Sequence, residues 1–122
     1  MSLLLDTHAL LWWLTGAPMA DDASSAIADA DTLVAVSAAT LWEIGIKRAI
    51  GKLQFEGSLD EGLDAFVPLP IGWGHAKAAA ALPPHHRDPF DRMLIAQAQI
   101  EGLTLVTRDP AMAASDVDLL AC

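Results

Sequence analysis

The chain has 122 residues, 53% of them hydrophobic, with 16 acidic and 7 basic side chains and a formal charge of −9. That length holds one domain with a real core but not two, and the acidic balance argues against whole-surface attraction to nucleic acid or to an anionic membrane. The lone cysteine, Cys122, excludes an internal disulfide or a cysteine-based zinc site and fits a reducing, cytoplasmic home.

Ser2 to Leu5 predicts a buried first strand that ends at Asp6. This apolar start lacks a basic leader and is interrupted by Asp6, so it is not read as a signal peptide. No apolar run approaches bilayer length, and no membrane association is expected. Thr7 to Leu14 has helical character, closed by Gly16, Ala17 and Pro18. On that helix Trp12 and Trp13 point in different directions. Either one of them lies near a partner surface, or both are large core residues at a helix edge.

Asp21 or Asp22 caps a helix through Ala30, and Thr32 to Val36 forms a second buried strand. Ser37 or Thr40 then starts a helix to about Ile50, followed by Gly51. Phe55 to Asp64 reads as a loop and a short helix. Phe66 to Leu69 is a short third strand that Pro68 and Pro70 confine to an edge or a strand end. Gly72 to Leu82 is an alanine-rich helix ended by Pro83 and Pro84. The stretch Asp88 to Asp109, DPFDRMLIAQAQIEGLTLVTRD, joins a capped helix, a stop at Gly102 and a buried strand from Leu103 to Thr107. Val117 to Ala121 forms a last strand. Strands alternating with helices, with no repeat or linker, predict a single three-layer α/β/α domain over residues 1–122 with a parallel sheet of four to five strands.

Acids recur at one kind of place in this plan. Asp6 follows the first strand, Glu43 lies in the first turns of the helix leaving the second, Asp88 and Asp91 open the central helix, and Asp109 follows the fourth strand. In a parallel α/β sheet these positions share the carboxyl edge, where ligands bind. Each acid also has an ordinary explanation. Asp6, Asp88 and Asp109 suit helix capping, Asp91 suits the helix dipole, and Glu43 completes a capping box with Thr40 and an exposed pair with Lys47. What those roles leave unexplained is convergence. A carboxylate cluster suits a hard divalent cation such as Mg²⁺ or Mn²⁺.

The basic residues are distributed unevenly: none precedes Lys47, while Arg87, Arg92 and Arg108 adjoin the acids. They offer a local basic rim around an acidic pocket despite the net charge. His8 either faces the site or helps the helix turn. His85 and His86 are expected to meet solvent or a substrate phosphate, since zinc ligation would need more His or Cys at fixed spacing.

With these residues in view, the chain resembles PIN-domain proteins of the VapC ribonuclease-toxin type, from type II toxin–antitoxin systems. The resemblance covers essentially the whole length and rests on LLLDTHALLWWL, SAATLWEIGIK, HHRDPFDRMLIAQA and LTLVTRD. It implies an Mg²⁺- or Mn²⁺-dependent endoribonuclease in which Asp6, Glu43 and Asp91 match the three principal acids and Asp109 a fourth, more variable one. Asp88 is an additional nearby acid. The resemblance also implies an antitoxin partner that occludes the site, and a homodimer, which the apolar surplus fits. A receiver-like Mg²⁺-binding module would need a phospho-accepting Asp after a middle strand and a late Lys, and Val36 is followed by Ser37. A phosphatase of the haloacid dehalogenase type would need Asp where His8 stands. A PIN fold without nuclease activity, acting through protein partners, is disfavoured by the intact acids.

Overall fold

Leu3, Leu4 and Leu5 are fully buried, and their alternation sends Leu3 and Leu5 to one face and Leu4 to the other. A strand with both faces covered belongs at the centre of a sheet. In the computed structural model, which describes residues 1–55 and 57–122, this strand is β1, Ser2–Leu5. It pairs in parallel with β2, Leu33–Ser37, on one side and with β4, Thr104–Thr107, on the other. The edges are β3, Val67–Leu69, and β5, Leu119–Ala121, giving the order β3-β2-β1-β4-β5 with every pair parallel. Pro68 has no N–H to give to a ladder, and β3 accordingly lies at the edge.

Helices cover both faces. Leu3, Leu5, Val34, Val36 and Val106 pack with residues of α1 (Thr7–Thr15), α2 (Asp21–Ala28), α3 (Ala38–Ala49) and the short α4 (Leu59–Leu63). Leu4, Ala35 and Leu105 pack instead with α6 (Pro89–Glu101), which lies against α5 (Trp73–Ala81). The three-layer expectation holds, with boundaries shifted by one to two residues at most ends. The last strand is shorter than expected, and the loop expected from Phe55 includes Glu56, which lies outside the described residues.

Two devices place the helices relative to the sheet. Ser37, not Thr40, caps α3: its hydroxyl accepts from Ala39 N–H at 3.0 Å and donates to Gln97 Oε1 on α6 at 2.5 Å. Gln97, fully buried, passes its own amide to the Pro70 carbonyl at 3.3 Å. This polar thread joins β2, α3, α6 and the exit of β3. The other device is Gly102, whose φ of +67° lets α6 stop in the left-handed conformation. Trp12 and Trp13 are both partly buried against the core, and the Trp side chains that face outward are Trp42 and Trp73.

Because Ser37 is both a cap and Gln97's partner, Ser37→Ala should lower the unfolding free energy by about 2 kcal/mol. Urea denaturation checks this, and a midpoint unchanged from the parent would show that the thread is not structural.

Candidate active site

The strand order creates the site. The chain leaves β1 toward β2 and β3 and returns to β4 on the other side, so a crevice opens at the carboxyl ends of β1 and β4. Asp6 continues β1, its N–H donating to Val106 O at 3.1 Å, and Asp109 follows β4 by two residues. A pocket of about 280 Å³ here is lined by Asp6, Thr7, His8, Glu43, Lys47, Asp88, Asp91, Asp109 and Met112. The five acids singled out in the sequence thus meet in one place.

Several of them serve as caps as well. Asp6 Oδ1 accepts from Ala9 N–H at 2.7 Å at the start of α1. Asp88 Oδ1 accepts from Phe90 and Asp91 N–H at 2.8 and 3.1 Å at the start of α6. Asp109 Oδ1 accepts from Ala111 N–H at 2.9 Å at a 3₁₀ turn, Pro110–Ala114. Capping engages one oxygen of each carboxylate and anchors it.

Glu43 overturns the local reading of its sequence. The capping box with Thr40 does not form, because α3 starts three residues earlier and Thr40 is buried inside it. Glu43 is buried too, its side chain only 7% exposed. Thr7 donates its hydroxyl to Oε1 at 2.5 Å, and Lys47 its ammonium to Oε2 at 2.6 Å. The pair with Lys47 therefore exists, but it is not a surface ornament.

Electrostatics in the pocket are unbalanced. Burial pushes the Asp6 carboxyl above the ordinary range, against opposing hydrogen bonds from Thr107 and Ala9. Asp91 is pushed up to about 7, first by burial and then by the charges of Asp88, Glu43, Asp6 and Asp109. Lys47 is pulled up by its hydrogen bond to Glu43. The donor set of carboxylate oxygens, short of cations, has the chemistry that a hard divalent ion takes.

The three arginines take different positions around the acids. Arg92 is a correction: its guanidinium donates to the carbonyls of Ala79 (2.8 Å), Leu82 (2.8 Å), His86 (2.9 Å) and Pro83 (3.1 Å). It closes the end of α5 and holds the following loop. Arg108 lies 3.8 Å over the Trp12 ring and donates to Cys122 O at 2.8 Å and Pro18 O at 3.1 Å, at the rim beside Asp6 and Asp109. Arg87 is exposed on the loop before α6. His86 is the other correction. It is buried, with Nε2 toward Asp91 and Asp109 rather than toward solvent. His85 is exposed as expected. Sequence reasoning also passed over Thr7 and Lys47 as site residues. Lys47 stands one helical turn after Glu43 and Thr7 directly after Asp6, and only the fold turns both toward the pocket.

A parallel sheet flanked by helices, with acids converging at its crevice, defines an α/β/α domain with an acidic pocket. The PIN domain family matches residues 3–117, and the chain belongs to that family. The fold is shared with VapBC2 from Rickettsia felis bound to a DNA fragment from its promoter, at a TM-score of 0.77 and 18% identity over 100% of this chain and 99% of that one. It is shared also with a toxin–antitoxin complex from Klebsiella pneumoniae, at 0.71 and 22% over 97% and 95% of the two chains. VapBC-5 from Mycobacterium tuberculosis aligns at 0.64 and 21% over 98% and 96%. At these identities the likeness is one of fold. No curated protein matches the sequence.

The raised Asp91 carboxyl has a signed consequence for stability. The folded, metal-free protein keeps this proton up to about pH 7, whereas the unfolded chain releases it near pH 4. The folded state binds more protons between those values, so stability falls as pH rises through that window and levels off above it. Melting temperatures in chelator should carry this downward slope, and Asp91→Asn should flatten it. An equal slope in the variant would place the repulsion elsewhere. Arg92→Ala should lower the unfolding free energy by about 2 kcal/mol or more, measured by urea denaturation.

Proposed function

We propose that this protein is a divalent-metal-dependent endoribonuclease, the toxin of a type II toxin–antitoxin pair acting in the cytoplasm. The observation that carries the reading is the Asp91 carboxyl, held among four other acids with Lys47 as the ammonium among the pocket's lining residues. Repulsion of that kind is costly to maintain unless a cation relieves it. Asp6, Glu43 and Asp91 would hold Mg²⁺ or Mn²⁺, with Asp109 contributing and Asp88 adding negative charge at the mouth. When bound, such an ion lowers the pKa of water and neutralises charge developing on the phosphate.

The chain's own residues do the positioning. Thr7 and Lys47 fix both oxygens of Glu43, which denies that carboxylate rotamer freedom. Asp6 is held by the Ala9 N–H, and Asp91 sits on the first turn of α6. Arg108, beside Asp6 and Asp109, and the exposed Arg87 would meet an RNA backbone, while Arg92 donates to chain carbonyls. An antitoxin and a second copy of the chain are the protein partners. The solved structures of similar fold that contain toxin and antitoxin together support the first. Exposed Trp42, Leu41 and Ile46 on α3, and an apolar groove between α3 and β3 lined by Leu41, Phe66 and Pro68, offer surface for both.

RNA cleavage by the purified, partner-free protein tests the reading. Cleavage should need Mg²⁺ or Mn²⁺, stop with chelator, and fall by at least a hundredfold in Asp91→Asn while the variant stays folded. Cleavage that survives in the variant, or that ignores chelator, would place the activity outside these acids.

A further inference from the structure

Outside the roles assigned above lies one buried side chain aimed into the pocket. His86 is 9% exposed, and its Nδ1 has no hydrogen-bond partner among the described residues. Its Nε2 stands 3.8 Å from Asp91 Oδ2 and 3.7 Å from Asp109 Oδ2, too far for a hydrogen bond to either. Nε2 is therefore the ring nitrogen that faces two carboxylate oxygens with neither in hydrogen-bond reach, which leaves it open to a further partner lying between them. These three ligand atoms lie within 4.8 Å of one another. An ion about 2.1 Å from each would span the His86 separations. A direct proton-sharing contact would have drawn them closer.

The loop is built to hold the ring there. Arg92 donates to the His86 carbonyl at 2.9 Å while its other bonds tie down Pro83 and the end of α5. Asp109 is fixed by its cap to Ala111, and Asp91 by its place on α6. Three ligands from a loop, a helix start and a strand exit therefore converge with little freedom to spread.

Resting on the metal-dependent reading above, we infer that His86 Nε2, Asp91 and Asp109 form a nitrogen-containing cation position that takes a transition-metal ion such as Mn²⁺ in preference to Mg²⁺. Mg²⁺ takes oxygen ligands and gains little from an imidazole, whereas transition ions accept one readily. The acids deeper in the pocket, Asp6 and Glu43, offer oxygen alone. The pocket would thus discriminate between ions at one of its ends.

Electron spin-echo spectroscopy of Mn²⁺ bound to the full chain tests this directly. The spectrum should show modulation from one directly bound imidazole nitrogen, and histidine labelled with ¹⁵N should shift it without any substitution. The signal should persist in His8→Ala and His85→Ala and disappear in His86→Ala and His86→Gln. Mn²⁺ affinity, by calorimetry, should fall about tenfold or more in the His86 variants, with Mg²⁺ affinity nearly unchanged. Bound Mn²⁺ without nitrogen modulation, or modulation that survives loss of His86 or follows His8, overturns the inference. If RNA is still cut with metal in that case, the nuclease reading stands alone. Absence of any Mn²⁺ binding would overturn the inference, and absence of Mg²⁺ binding as well would overturn both. Because the labelling experiment uses the unaltered chain, a His86 variant that fails to fold does not spare the inference.

Discussion

Like charges held together at the end of a sheet constrain everything else in this molecule. Five carboxylates line one pocket of about 280 Å³ with Lys47 beside them, and Coulomb repulsion at such separations grows as water is excluded. Asp91 registers its burial first, and the neighbouring charges after it, as a carboxyl pushed up to about 7. The fold carries this burden because the acids are attached to its most rigid parts: the central strand, three helix or turn starts, and the buried turn of α3. A looser scaffold would let them move apart.

The same side chains reconcile folding with the site. Asp6, Asp88 and Asp109 each give one oxygen to backbone N–H groups that would otherwise lack a partner. The capping bond orients the carboxylate. Capping and function, which look like competing explanations residue by residue, are here one arrangement. The cations follow the opposite rule: Arg92 and Arg108 spend their donors on chain carbonyls and on the Trp12 face. Neither lines the five-acid pocket, whose charge Lys47 alone among its lining residues offsets.

Positions read from spacing alone fared according to how local their physics is. The strand ending at Asp6, the cap at Asp88 with Pro89 behind it, and the stop at Gly102 depend on neighbours within a few residues, and they appear where expected. Glu43 failed as a capping box because a better cap, Ser37, stands one turn earlier and donates a hydrogen bond to a residue sixty positions away. His86 looked like a solvent-facing loop residue because the contacts that bury it come from α5 and α6 through Arg92.

By itself, the sequence determined the alternation of strands and helices, the parallel sheet, and the placing of acids after strands and at helix starts. Hydrophobic periodicity, caps and turns act over short distances, and each leaves its mark in adjacent letters. Only the tertiary structure decided that Thr7 and Lys47 grip Glu43, that Arg92 faces carbonyls and not phosphate, and that the His86 ring turns inward to two carboxylates. Those outcomes depend on strand order, which sets β1 between β2 and β4 and brings residues far apart in the chain to the same crevice. Charge and desolvation act through that space, and no local pattern encodes it.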